Sequence, residues 1–460
     1  MSAGRKTSTA TAAGDAPTVA ELERALGEAA TGETWQDLER WLEAFVRFRT
    51  EDLPGLREAM RAPAVRQSPP YDKREWPYPA QWVAAMADLV TTPGPHPVGR
   101  LPDISRVSAP HWLLLRRLAE IHAAVRGGTA PPYLLATPTT GTGGLDPAAL
   151  VARIEGYERA GVEAMPADLQ QALLRLPRRI PPEVAARAGR LTSAAGVTLA
   201  GWLTGRPEPR TRIAWRHGSG VYLDDREPSP SSEVSLVPGI RAEPTGLELV
   251  DHLLSAPRPS RWQADGDDPR GWPAMLPHDR EAVAVHYLPY LFCREHGSHI
   301  ELTHVQILSV TDGPPGEAIA LLAAYFLLNR KWNRAPAGVS LLLDLAARGD
   351  LPTVEVGRQL ALLLRRTWLK AAALRESMEL AADRGGHDHV WQIMTGLLPA
   401  YLPGPGERAH AGHTQVLALA ARIAHRTGAG GELPCVAEIA GRGGESGFVR
   451  AARHLRAALN

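Results

Sequence analysis

Apolar residues recur at helical spacing along most of the chain, and Pro and Gly cut the pattern into short blocks. Thr34 stands before Trp35, Leu38, Trp41, Leu42 and Phe45, a stripe that predicts a helix with Thr34 as its N-cap. Thr18 with Glu21 three residues on has the pattern of an earlier capping box. The run from Pro63 to Pro79 is rich in Pro, Tyr and Trp and excludes regular helix. Its Tyr71, Trp76 and Tyr78 are expected to lie as a lid over the helical layer. The helical pattern resumes over Ala80 to Leu89 and Ala109 to Val125, the latter with Leu114, Leu115, Leu118 and Ile121 on its apolar face.

Residues Pro131 to Glu163 join a short apolar segment, a Thr/Gly loop and a helix opened by Asp146 and Pro147, with Leu150, Ile154 and Tyr157 along one face. Asp can cap the orphan amides and Pro suits the first helical position, while Gly161 marks the stop. Short helices follow at Pro166 to Leu176, Pro182 to Gly189 and Gly196 to Leu203. Arg212 to Leu223 breaks the pattern: two short runs around Gly218-Ser219-Gly220 predict a hairpin, and Ser232 to Val237 can add a strand. Asp224 to Ser232 and Pro257 to Pro273 have loop composition.

From Glu281 onward the pattern is helical almost throughout. Three helices end alike, at Gly349, Gly385 and Gly428, a spacing of about 36 and then about 43 residues that falls in the range of two-helix repeats. Val339, Leu342, Leu343 and Ala346 share a face, as do Val416, Leu419, Ala420 and Ile423. One such pair cannot bury its stripe alone, so neighbours must stack, with Glu438 to Leu459 as a closing unit. The expected fold is all-α, a HEAT-like α-solenoid or helical-repeat array with a minor β-hairpin insertion. The expected divisions are a disordered tail (1–17), an N-terminal helical region (18–130), a motif-containing helical region with the hairpin (131–256), a linker (257–275) and C-terminal HEAT-like repeats (276–460).

Two blocks resemble a family of actinobacterial proteins described as domains of unknown function. One is Leu134-Leu-Ala-Thr-Pro-Thr139 followed by Gly144-Leu-Asp-Pro147 and a helix with Leu150 and Arg153. The other lies in the C-terminal half, at Leu342 to Gly349, Val356 to Leu364, His389-Val390-Trp391 and Leu397 to Glu407. The resemblance spans half to two-thirds of the chain. It implies a HEAT-like scaffold without assigned catalytic residues, in proteins longer than this one on the N-terminal side. It also implies a neighbourhood of MoxR-type ATPases, von Willebrand A-like proteins and SWIM zinc-finger proteins.

The net charge of +1 gives the whole molecule no strong pull on nucleic acid or anionic membrane. Lys6, Lys73, Lys331 and Lys370 are the only lysines, so nearly all positive charge is Arg, as in a GC-rich genome, and each Arg says less about function. Cys293 and Cys435 are too few for a disulfide framework or a four-cysteine zinc site. No apolar h-region marks the N-terminus, and the longest apolar run, Ala318 to Leu328, is too short for a membrane span, so the expected location is the cytoplasm.

Candidate chemistry is sparse. Cys293, His296, His299 and His304 are zinc-ligand types, but the His299–His304 spacing puts the pair on different faces of a helix, and Pro434-Cys435 lacks the second Cys of a deaminase signature. Structural histidines are the expected reading, with a metal-dependent enzyme near Cys293 to His304 as one alternative. Gly141-Thr-Gly143-Gly144 meets Asp146 where a dinucleotide fingerprint needs Gly, and no Lys follows a Gly, so no cofactor is expected. The loop serves as a helix entry, or else Thr137, Thr139, Thr140 and Asp146 contact a partner. Arg175, Arg178, Arg179, Arg187, Arg190, Arg206, Arg210, Arg212 and Arg216, with Trp202 and Trp215 among them, form a candidate nucleic-acid patch, set against a solvated Arg-rich face. Trp35, Trp41 and Trp391 are expected in the core. The leading expectation is a non-enzymatic, protein-binding scaffold in a cytoplasmic assembly, with a MoxR-type ATPase or von Willebrand A-like protein as partner by analogy. A nucleic-acid-associated helical protein is the other alternative.

Overall fold

A computed structural model describes residues 34–61, 75–217, 234–255, 269–291, 300, 302–329, 335–367, 369–404 and 406–460. Helix accounts for 64 % of the described residues, which also hold a single two-stranded antiparallel sheet, so the described part is mostly helical with a minor β element.

The N-terminal layer is α1 (Trp35–Glu51), α2 (Leu53–Met60), α3 (Pro79–Thr91) and α4 (Ala109–Gly127), each packed on the next. Thr34 caps α1 as expected, its hydroxyl accepting the Asp37 amide. Trp41, Phe45, Trp76 and Trp82 fill a core of their own, which also takes in Leu115, Leu118 and Ile121 of α4. Trp76 is buried, edge-on to Trp82 and His122, which fits the lid expectation, and Tyr78 is half-buried. Tyr71 and Thr18 lie outside the described residues.

The middle region holds α5 (Pro147–Ala160), α6 (Pro166–Leu174), α7 (Pro182–Ala188) and α8 (Ala194–Gly205), then β1 (Arg210–His217), β2 (Val234–Arg241) and α9 (Glu248–Leu253). Asp146 caps α5 through the Ala148 amide, and Gly161 ends it at φ 63°, a left-handed conformation that suits Gly. The hairpin expectation needs a correction. β1 pairs with residues 234–241, Arg210 opposite Arg241 and His217 opposite Val234, a strand longer than and shifted from the expected Ser232 to Val237. Ile213, Trp215, Leu236 and Ile240 fall on one face by the period of two and pack on the main core, and the longer Val234–Arg241 run supplies that face. Residues 218–233, including the expected turn, are outside the described set.

The expected linker is also revised at its end: Trp272–Met275 is a short helix, α10, and Trp272 and Met275 are buried in the core. Beyond it come α11 (Arg280–Tyr287), α12 (Leu302–Gln306), α13 (Glu317–Leu328), α14 (Ala335–Ala347), α15 (Thr353–Arg366), α16 (Ala371–Asp383), α17 (His387–Tyr401), α18 (Ala411–Thr427), α19 (Pro434–Ala440) and α20 (Gly447–Leu459). Contacts run mainly between alternate helices: α11 to α13 to α15 to α17, and α12 to α14 to α16 to α18 to α20. The long apolar run is α13, buried on every side from Ala318 to Leu328, because helices pack all around it. No helix among the described residues is long and apolar enough to cross a membrane. Gly349, Gly385 and Gly428 have φ of 72°, 92° and 65°, so the three similar helix ends stop by one backbone device. Gly357 of α15 and Gly396 of α17 let the two helices touch: an added Cβ would lie 2.2 Å from the Ile393 carbonyl oxygen and 2.1 Å from that of Val354. One apolar core runs from α4 through the middle region to α20, so regions 131–256 and 276–460 share their interior.

Candidate functional site

The Thr/Gly loop lies over a buried ionic cluster assembled from four separate places in the chain. Glu39 comes from α1, Arg117 from α4, Asp168 from the first turn of α6, and Arg175 from just beyond its end. All four are buried, with Arg117, Asp168 and Arg175 each 1 % exposed. Oε1 of Glu39 accepts from Nη1 of Arg117 at 2.6 Å and from Nη2 of Arg175 at 2.7 Å. Nε of Arg117 donates to Oδ1 of Asp168 at 2.8 Å, and Oδ2 of Asp168 accepts the Leu135 amide at 2.6 Å. Arg175 also donates to the carbonyls of Ala136 and Ala274, and Arg153 of α5 donates to those of Leu135 and Thr137.

The irregular segment Leu135 to Thr137 therefore hangs on charged side chains instead of a neighbouring strand. Leu135 and Ala136 are buried, and their amides and carbonyls would be costly unpaired. This gives the Leu-Leu-Ala-Thr-Pro block a structural reason: it is the backbone that the cluster grips.

The loop above is held by its own hydroxyls. Oγ1 of Thr139 accepts the Asp146 amide at 2.7 Å, and Oγ1 of Thr140 accepts the Gly144 amide at 2.8 Å. Gly143 has φ 93°, and an added Cβ would lie 2.5 Å from the Ala274 carbonyl oxygen, so the loop sits directly on α10. Thr139, Thr140 and Asp146 are exposed, Thr137 is half-buried, and all four are tied into the helix entry.

Burial pushes the Glu39 carboxyl up, but the guanidiniums of Arg117 and Arg175 outweigh it and hold the group at about 2. Burial likewise lowers Arg117, and Glu39 and Asp168 reverse this and raise it. Both groups stay charged at neutral pH. Glu120, at its edge, is pushed up to about 7 by burial, against the Ala167 and Asp168 amides that its carboxylate accepts at the start of α6. The arrangement positions backbone and joins layers; it brings no nucleophile to a cleft.

The Arg-rich candidates are largely drawn into the interior. Arg175 is a correction: it belongs to the buried cluster and presents nothing to a partner, because its three nitrogens all meet internal acceptors. Arg178 and Arg206 both bond the buried Asp279, clamping the chain after α6 and α8 to the turn before α11, and Arg187 pairs with Glu155. Trp202 is 5 % exposed and lies under the Arg206 guanidinium, while Trp215 is half-buried against the main core. Arg179, Arg190, Arg210 and Arg212 remain on the surface. The side chain of Arg216 lies outside the described residues.

Cys293, His296 and His299 also lie outside them, and His304 is half-buried on α12. His286 is buried and bonds the Leu253 carbonyl at 2.8 Å. No cluster of metal-ligand side chains occurs among the described residues. Trp41 is buried as expected, whereas Trp35 and Trp391 are half-buried.

Glu39, Arg117 and Asp168 are not foreseen from motifs, yet the stripes hold a signal. Arg117 falls between Leu113 and Ile121 at steps of four, and Glu39 follows Trp35 by four, so opposite charges occupy apolar positions on two helices. Comparison with family models, with curated proteins and with solved structures finds no match to this chain.

Proposed function

We propose that the chain is a non-enzymatic, protein-binding scaffold or adaptor in a cytoplasmic multi-protein assembly, its C-terminal half forming a short HEAT-like solenoid. The observation that carries the reading is the alternate-helix packing from α11 to α20, two rows in which each helix meets the one two places on. The recurrent left-handed Gly stops and a ladder of ion pairs one repeat apart add support. Arg422 pairs with Glu379 at 2.8 Å and Arg426 with Asp383 at 2.7 Å, both between α18 and α16. Stacked helix pairs offer an extended surface for another chain, and their terminal units need a polar outer face. On α20, Phe448, Val449, Ala452 and Leu455 point inward, while Arg450, Arg453, His454 and Arg456 point outward.

The family resemblance makes a MoxR-type ATPase or a von Willebrand A-like protein the first partner to look for. Untagged protein is purified from its host and co-purifying chains are identified by mass spectrometry, with and without nuclease. Stoichiometric recovery of one protein in both preparations is the expected result. Recovery only of chains lost on nuclease treatment overturns it in favour of nucleic-acid association through Arg179, Arg190, Arg210 and Arg212.

A further inference from the structure

A cavity of about 30 Å³ lies beside the ionic cluster, where α1, the start of α4 and α10 meet. Leu38, Leu114, Trp272 and Met275 wall it, and Glu39 and Arg175 supply charge. Glu39 is one of the lining residues, and its Oε2 is buried with no hydrogen-bond partner among the described residues, although Oε1 of the same carboxylate accepts two. Nη2 of Arg117, on the guanidinium that grips this carboxylate, is likewise buried without a partner there. A buried, ionised acceptor left bare is costly, so the cavity calls for a hydrogen-bond donor.

Size and charge select the donor. Roughly 10–15 Å³ of such volume is enough for a water molecule, whereas pockets for organic ligands run to several hundred. A cation suits the carboxylate by itself but not the neighbourhood, because the guanidiniums of Arg117 and Arg175 already lie within hydrogen-bond distance of that carboxylate. Those adjacent positive charges favour a neutral donor.

We propose that the cavity is a hydration site in which one or two water molecules reside, at least one donating to Oε2 of Glu39. The water completes the joint between the N-terminal layer and α10, and it is as much part of that joint as the salt bridges.

The test uses the native full-length chain, crystallised and measured at high resolution with and without xenon under pressure. Dry apolar cavities of sufficient size take up xenon, and hydrated ones do not. The expected result is a water peak within hydrogen-bond distance of Oε2 of Glu39 and no xenon in the cavity. Xenon bound there, or density for a cation or a larger molecule against Glu39, overturns the proposal.

Discussion

Replacing Glu39 by Gln removes one charge from the ionic cluster and leaves its shape nearly unchanged. In the native chain two carboxylates, Glu39 and Asp168, balance Arg117 and Arg175. In the variant Arg117 keeps Asp168, but Arg175 is 2 % exposed at its side chain with no counter-charge. Two routes give the cost. Glu39 is buried and its carboxyl falls from 4.5 to about 2, which at about 1.4 kcal/mol per pH unit makes the ionised form worth about 3 kcal/mol to the fold. Breaking a buried pair by removing one partner costs about 3–5 kcal/mol in general. Both point to a loss of about 3–4 kcal/mol, a large share of the roughly 5–15 kcal/mol that holds a domain together. Urea unfolding followed by Trp fluorescence reads it, since Trp41, Trp76 and Trp82 lie in the N-terminal core beside the cluster. The pH dependence gives a second check. Because the folded-state value is depressed, the contribution is complete above about 4.5 and fades toward about 2, so variant and native stabilities converge over that window. Removing Arg175 as well (Glu39→Gln with Arg175→Gln) restores neutrality and recovers part of the loss. A single variant as stable as the native chain, or a double variant less stable than the single, refutes the reasoning.

Three further outcomes follow from other parts of the molecule. Burial lowers the His286 imidazole to about 4, while the unfolded chain takes up that proton at about 6.5; stability is complete above the upper value and declines by about 3 kcal/mol as pH falls through this window. A His286→Gln variant flattens that part of the stability curve, and an unchanged slope sinks the assignment. Gly396→Ala puts a Cβ against the Val354 carbonyl oxygen and forces α15 and α17 apart, with an expected loss of about 1–3 kcal/mol in urea unfolding; a neutral effect would show that the helices are not in that contact. Arg422→Ala breaks only a half-exposed pair with Glu379, so its effect stays below about 1 kcal/mol, and a larger loss would mean that the ion-pair ladder matters more to stability than its exposure implies.

Local punctuation was legible in the sequence wherever one residue and its neighbours decide the outcome. Thr34 and Asp146 are N-caps, and Gly161, Gly349, Gly385 and Gly428 are left-handed stops, because caps and stops are satisfied within one turn of the backbone. The buried face of α4 was read for Leu115, Leu118 and Ile121 but missed Arg117, since its partners come from 78 positions before it and 51 after it in the chain. Arg175 was misplaced for the same reason: a basic residue in an Arg-rich stretch looks solvated until its acceptors are known. The exposed Thr hydroxyls of the loop were visible as hydrogen-bonding groups, but only their geometry shows that they bond inward.

By itself, then, the sequence determined most of the helices, several of their ends and the need for neighbours to cover their apolar stripes, because helix formation and capping are matters of short range. The tertiary structure decided which residues 234–241 would pair with, which charges would enter the interior, and how Leu135 to Thr137 would satisfy its backbone. Those outcomes depend on groups far apart in the chain meeting where water is excluded. There a charge is tolerated only with its counter-charge beside it, and folding alone brings the two together.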